Sequence, residues 1–303
     1  MRKLIAVAAL CIAPAAMALN NRSAVSVTGL DTNPCTTTSP CRSFTAAMAA
    51  TVADGEIIAV ASGGYGSFTI DKGMTVSGIP GVHAAISTTA VGITVSTATD
   101  VNIIIRNLVM IGPTSGMASS NGIEIDTPSH VRVIGCLIRA FPGGGVVVYR
   151  GNVSIDDCTI AANADGVEVF NTVPGSGTSN ATITNSRIEG NNTGMTMGLD
   201  TQATVRGTTL AFGTVGISLA PNGSPNASAI VVVEKSFVVE NLTGLYLIPT
   251  GNNIATAYVS DTLFENNNQP VYNPLGGTVY TFSNNEFANN TSPPAAMTPV
   301  ATK

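Results

Sequence analysis

The sequence predicts an all-β chain wound as a right-handed parallel β-helix, a solenoid of about ten coils with a short N-terminal capping α-helix. Three recurring patterns carry that prediction. The first is the phrase glycine, apolar, any residue, apolar, which runs Gly92-Ile-Thr-Val95, Gly122-Ile-Glu-Ile125, Gly145-Val-Val-Val148, Gly166-Val-Glu-Val169, Gly194-Met-Thr-Met197, Gly216-Ile-Ser-Leu219 and Gly244-Leu-Tyr-Leu247. Its glycines stand 30, 23, 21, 28, 22 and 28 residues apart. So uneven a period suits stacked coils that accept loop insertions.

The second pattern is an alternating strand that ends in a turn residue, a small residue, a spacer and an apolar residue. Examples are Val131 to Ile138, Val153 to Ile160, Ala181 to Ile188 and Ala203 to Leu210. Its turn column holds Asn107, Gly135, Asp157, Asn185, Gly207, Asp261 and Asn284, interrupted by Lys235, and most of these types tolerate a left-handed backbone. The third pattern lies three residues past the last apolar position: Asn163, Asn191, Gly213, Asn241, Asn267 and Asn290. Asparagines stacked at a bend can satisfy backbone groups and one another.

Alternation of period two makes these segments strands, since a helix would space its apolar residues at three and four. Each strand is too short to bury a face alone, so neighbouring coils at about 4.8 Å spacing must supply the rest of the core.

The chain divides accordingly. Residues 1–18 have the basic start, apolar run and Ala16-Met-Ala18 site of a secretory signal peptide, which places the mature protein in the periplasm or outside the cell. Residues 19–54 form the cap, with a Cys35/Cys41 loop and a helix from Ser43 to Val52; residues 55–290 form the coils; residues 291–303, rich in proline and small residues, are expected to be a disordered tail. An alternating segment from Ala24 to Thr28 is expected to be a strand. Insertions at 113–121, 171–179, 221–227 and 249–253 read as loops by composition, able to wall a groove.

Without Arg2 and Lys3, 11 basic residues face 18 acidic ones and leave a net charge of −7. That balance disfavours nucleic acid and anionic membranes as partners, and no later apolar run reaches the length of a membrane span. Four cysteines remain in the exported chain. Cys35 and Cys41 are expected to bridge; Cys136 and Cys158 share an inward column and are either bridged or stacked as thiols.

Around the cap the chain resembles bacterial right-handed β-helix proteins of the pectin-lyase-like superfamily. The resemblance rests on Asn33-Pro-Cys35, Pro40-Cys41, Arg42-Ser-Phe44, the helix, Gly55-Glu-Ile57, Gly63-Gly-Tyr-Gly66 and Asp71-Lys-Gly-Met-Thr-Val76, and extends over about residues 25 to 290. It implies the fold, but the superfamily holds lyases, hydrolases, epimerases, esterases and proteins of no known reaction. A polygalacturonase-like site would add Asn-Thr-Asp, Gly-His-Gly and Arg-Ile-Lys; the chain has only Asp156-Asp157, at a turn. His83 and His130 are expected to be surface residues.

Candidate chemistry lies in the outward column Thr94, Glu124, Val147, Glu168, Thr196, Ser218 and Tyr246. Glu124 and Glu168 are two coils apart, with Asp126, Asp165, Tyr149 and Arg150 beside them. Such carboxylates could act as general acid and base, or hold Ca²⁺, although no cofactor is required and no metal ligand set is assigned. They could equally keep a strand face soluble. With Tyr149 and Tyr246 as sugar-binding rings, the expected partner of this monomeric chain is a polysaccharide or cell-surface glycan, bound along this face and, if the face is catalytic, cleaved or modified as by a lyase or hydrolase; the alternative is a non-catalytic adhesion or structural module.

Overall fold

The computed structural model describes residues 19–300 except 89, 114–119, 174 and 176; the expected signal peptide lies outside the described residues. Apart from α1 (Phe44–Ala50), the regular elements are strands. Each full coil contributes three, and like strands of successive coils pair in parallel. Third strands such as Thr159–Ala161 and Arg187–Glu189 build a ten-stranded sheet, while first and second strands share a 19-stranded one. They share it because Ile123–Ile134 and Gly144–Asp156 run around the bend between first and second positions as unbroken strands.

The apolar periodicity becomes vertical files. Ile93, Ile123, Val146, Val167, Met195, Ile217, Leu245 and Val271 stand in register on successive first strands, each at most 2% exposed. Ile125, Val148 and Val169 form the neighbouring file of the same core. The coil makes about eight turns rather than about ten; the ten-stranded sheet includes the partial coils at both ends.

The recurrent glycine is required by close approach, not by backbone conformation. A Cβ at Gly145 would lie 2.7 Å from the carbonyl oxygen of Gly166, and one at Gly92 would lie 2.6 Å from that of Gly122. The second corner does need left-handed backbone: φ is +54° at Asn107, +52° at Asp157, +49° at Asn185 and +50° at Lys235. Lys235 therefore continues the column rather than breaking it, and in the last coil Asn284 keeps its place opposite Asp261 while the left-handed residue is Ser283 (+61°), one earlier. A further left-handed column, at Ala140, Ala162, Phe212, Glu240 and Asn266, falls just before the asparagine column, whose places after Ala140 and Phe212 are taken by Phe141 and Gly213.

Those asparagines form a ladder. Asn267 Oδ1 accepts from the backbone N–H of Asn241 (3.0 Å) and from its Nδ2 (3.2 Å), and Asn191 Oδ1 does the same for Asn163 (2.9 and 3.0 Å). Gly213 interrupts the amide chain yet still donates its N–H to Asn241 Oδ1. A second ladder runs through the small residues after the turn: Cys158 N–H donates to Ser186 Oγ (3.1 Å) and Thr208 N–H to Ser236 Oγ (3.3 Å). Cys136 and Cys158 belong to it as free thiols, Cys136 N–H facing Cys158 Sγ at 3.4 Å. Stacking without a bond is therefore the arrangement adopted.

At the N-terminal end Cys35 and Cys41 are disulfide-bonded. Ser43 caps α1 by accepting from Ala46 N–H, and Asp31 accepts from the N–H groups of Arg42 and Ser43. The helix stops short of the expected Val52 because Thr51 already opens the strand Thr51–Ala59, which pairs with Asn20–Val25. That pairing also places the first strand earlier than Ala24 to Thr28. Phe44 stacks on Phe68 at 4.6 Å and seals the core.

The other end corrects the expected disordered tail. Thr291 and Ser292 donate backbone N–H bonds to Asn267 and Asn268, Thr298–Pro299 pairs with Thr278–Thr281, and Ala295 and Met297 pack on the core. Residues 291–300 make a partial extra rung that covers apolar surface the last coil would otherwise expose.

Asn267→Ala should remove the acceptor of a buried N–H and of a buried amide, lowering stability by about 1–3 kcal/mol. Urea unfolding should show a lower midpoint at unchanged m-value; an unaltered midpoint would mean the ladder contributes nothing.

Candidate functional site

The outward file of the first strands keeps its predicted register. Thr94, Glu124, Val147, Glu168, Thr196, Ser218 and Tyr246 stand opposite one another in turn, followed by Tyr272. Outward position does not mean exposure here, since Val147 is only 1% exposed. Val147 separates the two glutamates, so their backbones lie roughly 9.6 Å apart at the usual strand spacing.

Asn121 organises the near end of this row. Its Oδ1 accepts from Gly144 N–H, its Nδ2 donates to Glu124 Oε1 at 2.7 Å, and its side chain also hydrogen-bonds Tyr149. Burial, helped by the charges of Glu124 and Glu168, raises the Tyr149 phenol above its usual range, so the ring stays a neutral donor. On the next coil Thr196 donates to Asp165 Oδ1 at 3.3 Å.

Glu168 is the perturbed member. Its carboxyl lies half-buried over Gly144, where the space a Cβ would take is already filled by Glu168 and Val147. Burial first, and then the charge of Asp165, push its pKa from 4.5 up to about 7. The site can therefore present a protonated carboxyl beside a second carboxylate near neutral pH.

The structure thus gathers Glu124, Tyr149, Asp165 and Glu168, with exposed Asp126 at the margin near enough to act on Tyr149. Arg150 stands opposite Asp126 at the bend toward the second strand, its Nε buried without a partner. Tyr246 is three coils beyond Glu168, roughly 14 Å away, stacked on Tyr272 at 5.3 Å. A parallel tyrosine pair, Tyr258 and Tyr280 at 4.9 Å, occupies the second strands.

Asn121 is the functional residue that sequence reasoning missed. It closes the 113–121 insertion, and only its place immediately before Gly122, equivalent to Asp165 before Gly166, marked it. Asp156 accepts from Thr184 and Asn185, which makes the Asp156-Asp157 pair part of a turn. Among the described residues no three Asp, Glu, His or Cys side chains converge closely enough to hold a metal ion.

Comparison with known proteins is decisive for the fold. The family model described as the right handed beta helix region matches residues 121–292. The chain belongs to the right-handed β-helix family. Its members share the stacked parallel coil rather than one reaction. No curated protein matches the sequence. Among solved structures, pectate lyase Pel9A is 16% identical with a TM-score of 0.59, covering 94% of this chain and 79% of its own. A rhamnogalacturonan lyase is 12% identical with a TM-score of 0.67, covering 86% and 80%. At these identities the likeness establishes a pectin-lyase-like fold. Among the described residues no helix is long and apolar enough to cross a membrane.

Because folding favours the neutral Glu168 carboxyl, its contribution is full below about pH 4.5 and is lost as the pH rises through about 7. Glu168→Gln should abolish that loss, gaining on the order of 2 kcal/mol above pH 7 after solvent screening. Urea unfolding of both proteins at about pH 4 and about pH 8 checks it. Equal stability differences at the two pH values would contradict the assignment.

Proposed function

We propose that this chain is an exported β-helix that binds a polysaccharide along its first-strand face, with Glu168 exchanging a proton with the bound glycan during cleavage. The observation that carries the reading is the half-buried Glu168 carboxyl, poised at about 7, in one file with Glu124. A general acid works best when its pKa lies near the operating pH. The backbone separation of roughly 9.6 Å lies just above the about 6.5–9.5 Å between carboxyl groups that admits water between acid and base in inverting hydrolysis.

Further along the face the stacked Tyr246 and Tyr272 offer aromatic surface to a sugar ring. Two proteins of like fold are lyases of pectate and rhamnogalacturonan, and both names support an extended glycan as ligand. The Cys35–Cys41 bond supports an oxidising compartment outside the cytoplasm.

A non-catalytic adhesion module is the second reading, favoured by one observation: fully buried Val147 fills the position between the carboxylates, where hydrolysis would place water. One experiment separates the two. Purified protein and Glu168→Gln are assayed on a polysaccharide panel for binding, new reducing ends and unsaturated products. Cleavage by the native protein that falls about 10²-fold or more in the variant, with binding retained, is expected. Binding without turnover by either protein establishes the module instead, and equal turnover by both removes Glu168 from the chemistry.

A further inference from the structure

The outward row of the first strands ends differently at its two ends. Toward the C-terminus it runs from Glu168 past Thr196 and Ser218 to Tyr246 and Tyr272, and the rung beyond continues the stack, Ala295 N–H donating to the Val271 carbonyl at 3.0 Å. Toward the N-terminus it runs from Glu124 through Thr94 to Thr69 and meets α1.

A cavity of about 580 Å³ occupies that meeting point, within the range of about 300–1,000 Å³ usual for small-molecule sites. Thr69 and Thr94 line it from the row, Thr45, Met48 and Ala49 from α1, and Ala90 and Val91 from the turn before Gly92. The helix is fixed in place. Lys72 Nζ donates at 2.8 Å to the carbonyls of Met48 and Thr51, which satisfies acceptors that the helix end leaves free, and the Phe44 ring stacked on Phe68 holds the helix to the core.

Val147, midway between the two glutamates, is three rungs from Thr69, about 14 Å, and five rungs from Tyr272, about 24 Å. A glycan lying along the row therefore has room for its body over the tyrosines and only for a short end at α1. Charge narrows the sugar. Among the residues lining the cavity Asp71 alone is charged, and Glu124, Asp126, Asp165 and Glu168 stand along or beside the row, so an anionic chain meets like charge at each step. The Thr45, Thr69 and Thr94 hydroxyls and the Asp71 carboxylate suit sugar hydroxyls, and Met48 and Val91 give apolar surface to a ring face.

We propose that the row takes one end of a neutral glycan, seated in the cavity against α1, and trims the chain from that end. The inference rests on the glycan reading and adds to it the charge of the ligand and its direction of entry. A neutral sugar lacks the carboxyl group that assists β-elimination, so the cut is hydrolytic: the glycosidic C–O bond breaks, and water gives its OH to the anomeric carbon and its proton to the leaving oxygen.

Calorimetric titration of the full chain with linear xylan, galactan and glucan, each in short and long preparations, and with polygalacturonate tests it. At least one neutral glycan should bind at one protein per chain, the same for short and long preparations. A ratio that grows with chain length means binding along the interior and overturns the proposal while the glycan reading stands. Tighter binding of polygalacturonate than of every neutral glycan overturns its charge half, and binding of no glycan removes the glycan reading and this inference together. Ala49→Leu with Thr69→Leu, both at exposed positions, should narrow the cavity from two sides and weaken short-chain binding about tenfold or more. Unaltered binding by this variant overturns the proposal; should it fail to fold, unaltered binding by Thr69→Leu alone does so. Where the native protein cleaves, the first products should be short pieces, and products of intermediate length at the outset overturn trimming from an end.

Discussion

The molecule depends on one constraint: backbone N–H groups at the tight corners of a coil point along the stack and must find an acceptor one rung away. Buried backbone donors are almost always paired. At one corner the acceptor is a hydroxyl or thiol, as when Cys158 donates to Ser186 and Thr208 to Ser236. At the other it is an asparagine amide, as when Asn241 donates to Asn267. No coil can satisfy these donors from within. Each rung is therefore stable only as part of a stack, and both ends need covering. α1, with Phe44 over the core, supplies the cover at the start and the extra rung at 291–300 supplies it at the finish.

How much of this was legible depends on whether a residue's type or its surroundings enforce its role. The period-two alternation placed Ile125, Val148 and Val169 in one core, and the asparagines announced their ladder, because those side chains have few other uses at such spacing. The left-handed column at Ala140, Ala162, Phe212 and Glu240 was invisible, since none of these residues favours that conformation. It costs roughly 1–2 kcal/mol at each position and sets up the following N–H groups, of Phe141, Asn163, Gly213 and Asn241, to donate to an asparagine on the next rung. The tail was misread for a related reason. Its composition lacks strand character, and only the open edge of Thr278–Thr281 recruits it. In the site, the two-rung spacing of Glu124 and Glu168 followed from the repeat, whereas Asn121 did not, because its role depends on where an insertion returns to the coil.

The position of the site follows from the insertions. Those at 171–179, 221–227 and 249–253 all leave the bend between first and second strands, while 113–121 lies between third and first strands. The coils of Glu124 and Val147 carry no insertion at that bend and turn it as continuous strand. The register shifts at that bend, leaving Tyr149 as the extra residue and Arg150 opposite Asp126, and this is why Tyr149 and Arg150 part company. The next coil does carry an insertion there, and its Asn171, Gly177 and Thr178 line a cleft with Arg150. A groove on one side and a flat row of carboxylates on the other arise from one change in loop length between adjacent coils.

A solenoid is also a permissive host for a strained acid. Holding Glu168 half-buried beside Asp165 works against folding wherever the carboxyl is ionised, and in a small globular domain that cost would weigh on the whole structure. In stacked repeats stability is close to a sum of rung and nearest-neighbour terms, so the cost falls on the interfaces that Glu168 touches. Those interfaces are well supplied. Val146, Val167 and Met195 lie fully buried in one file, and Asn163 ties its rung to the next through Asn191. The local surplus of the ladder is what lets this face carry a carboxyl poised near neutrality.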